Sequence, residues 1–165
     1  MFELKINNPT ILRVDDNECI LSLDDAIESI FPLETEHLVL IWNEVIIPLS
    51  FKYDISLMVL DFIKIFQFTK DNQSSRLEIH WASNTFAAIW NFEKSKYSVN
   101  INTVWRSVIG GTEDILNVKN KNEVSIDNLQ KEIMKLLRFL KYAIEKSGVN
   151  SNLIEDFEKL REIFD

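Results

Sequence analysis

One cysteine, three glycines, three prolines and two histidines are all that 165 residues contain of these types, and each scarcity excludes something. A lone cysteine cannot build a disulfide framework. Cys19 with His37 and His80 supplies too few soft ligands for a usual structural zinc site, so no metal and no cofactor is expected. So few glycines and prolines argue against a glycine-rich phosphate loop, a collagen-like segment or a flexible linker. No apolar run approaches the ~18 residues of a membrane span, and Met1-Phe2-Glu3-Leu4 does not open as a signal peptide does. What remains is 46% hydrophobic and 27% charged, a composition able to bury one sizeable core. The expectation is a single cytoplasmic domain spanning 1–165.

Charge is abundant but uneven. The chain carries 18 basic and 26 acidic residues, a net of −8. Residues 1–50 hold ten acids against two bases, Lys5 and Arg13, and the rest of the chain is balanced. The whole excess therefore falls in the first third. A negative field repels phosphate backbones and anionic lipid, so neither nucleic acid nor membrane is expected as a partner. It attracts a basic protein surface and speeds the encounter. Asp15, Asp16, Glu18, Asp24, Asp25, Glu28, Glu34, Glu36 and Glu44 are the candidate partner-binding residues; a merely solvated face is the other reading.

Phe2–Ile6 alternates as a half-buried strand, with Thr10–Val14 as a candidate hairpin partner. Asp24 or Asp25 is placed to cap a short helix that Pro32 stops. His37–Trp42 and Val45–Leu49 flank a tight turn at Asn43-Glu44, and the first run, apolar on both faces, suits an inner strand. From Asp54 the period turns helical: only Ser56, Asp61, Lys64 and Gln67 are clearly polar within Ile55–Phe68, which predicts a mostly buried helix across a sheet. Three alternating segments then predict a meander carrying Trp81, Trp90 and Trp105 in phase with aliphatic residues. Asn117–Asn122 reads as an exposed loop. Ser125 or Asp127 starts a long helix ended by Gly148, and a last helix over about 152–164 folds back on it. The predicted class is α+β: an antiparallel β-meander sheet packed against a buried central helix and a C-terminal helical hairpin.

No catalytic constellation emerges. Glu78 and His80 share one strand face opposite Trp81, yet no third group completes an acid–base site. Asp15-Asp16-Asn17-Glu18 lacks the frame of a calcium loop. The tryptophans admit three readings: core, the lining of a pocket for an apolar or planar ligand, or a partner surface.

Ile41-Trp42-Asn43-Glu44-Val45-Ile46-Ile47-Pro48-Leu49, Ser83-Asn84-Thr85-Phe86-Ala87-Ala88-Ile89-Trp90 and Val104-Trp105-Arg106-Ser107-Val108-Ile109-Gly110-Gly111 resemble segments of small bacterial immunity proteins of polymorphic toxin systems, contact-dependent growth inhibition included. The resemblance spans residues 38–117 and the helical tail. It implies a non-enzymatic cytosolic protein that binds and blocks one cognate toxin domain, often a basic nuclease; it assigns no binding residue. A small-ligand-binding or enzymatic domain with a tryptophan-lined pocket, and a regulatory or scaffold module, are the alternatives.

Overall fold

Seven short segments form two antiparallel sheets in a computed structural model, which describes residues 1–14, 19–32 and 37–164. Strand β1 (Phe2–Ile6) is followed by helix α1 (Leu23–Ile30), then by the hairpin of β2 (His37–Trp42) and β3 (Val45–Ser50). A π-helical turn (Phe51–Ile55) runs into α2 (Ser56–Lys70). Strands β4 (Arg76–Ala82), β5 (Phe86–Lys94) and β6 (Ser98–Val108) form the meander; α3 (Glu113–Val118) and β7 (Lys121–Ser125) follow. The long α4 (Ile126–Ser147) and the short α5 (Phe157–Arg161) close the described chain. The sheet orders are β1-β2-β3 and β4-β5-β6-β7, an α+β fold with antiparallel sheets, as the order of elements in the sequence implies.

Local chemistry accounts for most boundaries. Asn43 and Glu44 both adopt positive φ (45° and 73°), the backbone that a two-residue hairpin turn needs to match strand twist. Gly148 ends α4 in the left-handed region at φ 89°, where a side chain would be strained. The Ser125 side chain caps α4 by accepting from the Asn128 N–H. At α1 the cap is Ser22, accepting from the Asp25 N–H, rather than Asp24 or Asp25; the two acids occupy the first turn, where the helix dipole favours them.

Three expectations are corrected. Thr10–Val14 does not pair with β1. Leu4 faces Leu40 and Phe2 faces Trp42 on β2 instead, because that register continues one buried face across β1, β2 and β3. The Leu12 N–H donates to the Ile30 carbonyl and the Val14 N–H to the Ser147 carbonyl, so the segment satisfies the otherwise unpaired ends of α1 and α4. Asn117–Asn122 is not one loop: Asn117 and Val118 end α3, and Lys121 and Asn122 open the fourth strand β7, which pairs Val124 with Val99 and Asn122 with Ile101; the inward Asn122 hides the alternation. The final helix is shorter than 152–164: a 3-10 turn (Ser151–Leu153) precedes α5, with Phe157 and Leu160 buried and Leu153 exposed.

The core is one contiguous cluster drawn from both sheets and from α1, α2 and α4. Trp90 lies at its centre, with ring centroids 4.9 Å from Trp42, 4.7 Å from Trp81, 5.6 Å from Trp105 and 6.1 Å from Phe2. Helix α2 lies against the second sheet through Phe62 on Trp81 and Phe68 on Phe92. A second aromatic group, Phe31, Phe51 and Phe139, joins α1, the π-helical turn and α4. On β3 the Ser50 N–H points outward to Asp54, so Pro48, on the same side, removes a donor from the free edge and makes it a poor template for another strand.

Candidate functional site

The acids singled out in the sequence do not form one patch. Asp15, Asp16, Glu18, Glu34 and Glu36 lie outside the described residues. Glu44 sits in the β2–β3 turn, where its carboxylate is 3.3 Å from Lys119 Nζ. That turn is at the far end of β2 from α1, since α1 packs on the π-helical turn that follows Ser50, and Ser50 pairs with His37. Asp24, Asp25 and Glu28 do come together, all exposed on the outer face of α1, and among the described residues none has a cation within ion-pair distance.

The first two are explained by the helix itself, because carboxylates are stabilising in a first turn. Glu28 is not. It lies in the second half of an eight-residue helix that has no basic residue in its last turn, where a negative charge opposes the dipole. Lys52 Nζ donates 2.9 Å to the Glu28 carbonyl rather than to its carboxylate.

The elements packed against α1 expose apolar surface, although α2 is mostly buried, as its spacing predicts. The π-helical turn and α2 place Tyr53, Leu57 and Leu60 in one outward stripe, 44%, 61% and 41% exposed. Leu21, just before α1, is 53% exposed. Because α1 packs on both the π-helical turn and α2, three unneutralised carboxylates and four large apolar side chains belong to neighbouring elements. The stripe follows from spacing: positions 53, 57, 60 and 64 fall on one helical face. In the sequence it was masked by the apolar residues on every other face of α2. Asp61 borders it, and burial pushes its carboxyl above the usual range, against the pull of Lys64.

The other candidates resolve differently. Glu78 Oε1 and His80 Nε2 are 2.6 Å apart with both side chains more than half exposed, on the open face of the second sheet. Buried Asp54 is fully occupied: Oδ2 accepts from the Ser50 N–H at 2.8 Å, and Oδ1 accepts from the Ser83 hydroxyl at 2.6 Å and the Thr85 hydroxyl at 2.5 Å. It clasps the π-helical turn to the β4–β5 turn. The four tryptophans are core: Trp42 donates to the Lys119 carbonyl at 2.8 Å, while the indole N–H groups of Trp81, Trp90 and Trp105 have no acceptor within hydrogen-bond distance. Steep interplanar angles between these rings (63° and 71°) set edges against faces, a favourable arrangement.

Among the described residues there is no cluster of three or more His, Cys, Asp or Glu side chains able to hold a metal ion, and no helix is long and apolar enough to cross a membrane. No protein-family model, curated protein or solved structure matches the chain.

Proposed function

We propose that this protein is an immunity protein: it binds a cognate basic toxin domain in the cytoplasm of the producing cell and neutralises it by stoichiometric occlusion, without catalysis. The observation that carries the reading is the composite face of α1 and α2. Asp24, Asp25 and Glu28, exposed and without an ion pair among the described residues, lie on α1, which packs against the elements that expose Tyr53, Leu57 and Leu60, and Leu21 is exposed just before it. An interface needs an apolar centre that loses its water and a charged rim that selects and steers the partner. A toxin that handles nucleic acid has the complementary basic surface. The resemblance of the segments around Trp42, Trp90 and Trp105 to immunity proteins supports the same reading.

The test uses the toxin domain encoded beside this chain's gene. Mixing should give a 1:1 complex whose association slows with added salt. Asp25→Lys with Glu28→Lys should slow association about tenfold or more, whereas Leu57→Ser should act on dissociation. Protection of cells expressing the toxin should fall in the same order. Association indifferent to salt and to both sets of changes would remove this face as the docking surface.

A further inference from the structure

Helix α4 carries a second feature, on the side of the molecule where it runs past β1. Ile6 and Asn8, at and beyond the end of β1, form one wall of an open groove of about 930 Å³; Lys131, Met134, Lys135, Arg138, Phe139 and Tyr142 of α4 form its floor and other wall. The volume falls within the range of small-molecule sites. Most of what it exposes is apolar. Phe139 is anchored from beneath by Phe31 and Phe51, so the floor is rigid, while Met134 is an unbranched side chain that adapts to an irregular guest.

The charge of the groove runs against that of the chain. Lys131, Lys135 and Arg138 recur at helical spacing along one wall. Lys135 is held by Glu132 at 2.6 Å. Arg138 lies over the Phe164 ring and directs one nitrogen at Met134 Sδ, 3.5 Å away. Lys131 has no carboxylate partner among the described residues. Among the described residues that line the groove outside α4, Ile6 and Asn8 carry no charge, and Asp127 lines its end nearest the start of α4. In a protein of net charge −8, an apolar trough with cations on one wall selects for negative charge, and Asp127, one helical turn before Lys131, sets its direction: an acidic head belongs on the Arg138 side of Lys131.

We propose that this groove binds a free amphipathic carboxylate, with its apolar body on Ile6, Met134, Phe139 and Tyr142 and its carboxylate between Lys131 and Arg138. The site is separate from the α1–α2 face and stands whether or not that face docks a toxin.

Dodecanoate is the probe. Titration into the full chain, below the micelle concentration, should show one saturable site and shift the methyl signals of Met134 and Ile6. Dodecyltrimethylammonium, with the same chain and opposite charge, should bind about tenfold or more weakly. Lys131→Glu with Arg138→Glu should weaken dodecanoate about tenfold, since each tenfold step is the scale of one strong contact. Phosphatidylglycerol vesicles should leave the protein in the supernatant. Absence of saturable binding, equal binding of both amphiphiles, indifference to the double charge reversal in a variant of unchanged circular dichroism, or sedimentation with the vesicles would each overturn the proposal.

Discussion

The main-chain N–H of Leu4 donates to Glu132 Oε2 at 2.8 Å, joining residues 128 positions apart. Leu4 lies on β1, the outer strand of its sheet, and its N–H points away from β2, where a further strand would offer a carbonyl. A carboxylate from α4 takes that place, and the same oxygen accepts from Lys135 Nζ at 2.6 Å. One contact thus accounts for a buried glutamate in the long helix and for an edge strand that does not recruit another chain.

Removing that carboxylate leaves a buried donor unpaired. Glu132→Ala should lower stability by about 2–3 kcal/mol, and Glu132→Gln, which keeps an acceptor, by about half as much. Urea unfolding of the three proteins checks the order; an alanine variant as stable as the parent would show that water replaces the contact at no cost.

The Asp54 clasp should be more sensitive. Its carboxylate accepts three hydrogen bonds from Ser50, Ser83 and Thr85, and Asp54→Ala strands all three donors. The expected loss is about 3–4 kcal/mol. Ser83→Ala, which removes one donor to Asp54 and the acceptor of the Phe86 N–H, should cost about 1–2 kcal/mol. Equilibrium unfolding distinguishes a clasp from a passive buried polar group, for which the two losses would be alike.

Asp61 acts in the opposite sense. Burial raises its carboxyl pKa in the folded protein. Above both folded and unfolded values the native state therefore carries the penalty of a poorly solvated carboxylate, and that penalty fades as pH falls through the folded value toward the unfolded one, about 4. Asp61→Asn should raise stability at neutral pH, by no more than about 1 kcal/mol because solvent still reaches the group. The advantage over the parent should vanish in acid. Thermal unfolding of both proteins across the pH range measures it.

Trp90 has the densest ring contacts of the core. Trp90→Ala should cost about 3–5 kcal/mol, and Trp90→Phe less. Even the phenylalanine variant should lose much of the near-ultraviolet circular dichroism, because Trp90 contacts the other three indoles. A spectrum diminished only by one chromophore's share would mean that the rings do not couple.

Much of the architecture was readable from spacing and punctuation. Alternation located β1 and β4 to β6, apolar runs located β2 and β3, the helical period located α2 and α4, and Asn43-Glu44 and Gly148 marked a hairpin and a helix end by conformations that few residues tolerate. These are local properties, settled by sterics and by which side chains share a face. Pairing is another matter. Phe2–Ile6 reads as a strand in any register, and only the buried face of β2 decided that it lies beside residues 38–42 rather than 10–14.

The candidate surface divides in the same way. That the first third of the chain is acidic is a fact of composition, fixed by the sequence alone. Which of its carboxylates face solvent together was decided by packing: Glu44 is carried to the far end of β2 and engaged by Lys119, while Asp24, Asp25 and Glu28 stay free beside Leu57 and Leu60. The groove on α4 likewise exists only because β1 docks along that helix. Spacing along the chain sets what one element can present. The sum of burial over distant elements sets which presentations meet, and no stretch of sequence contains that sum.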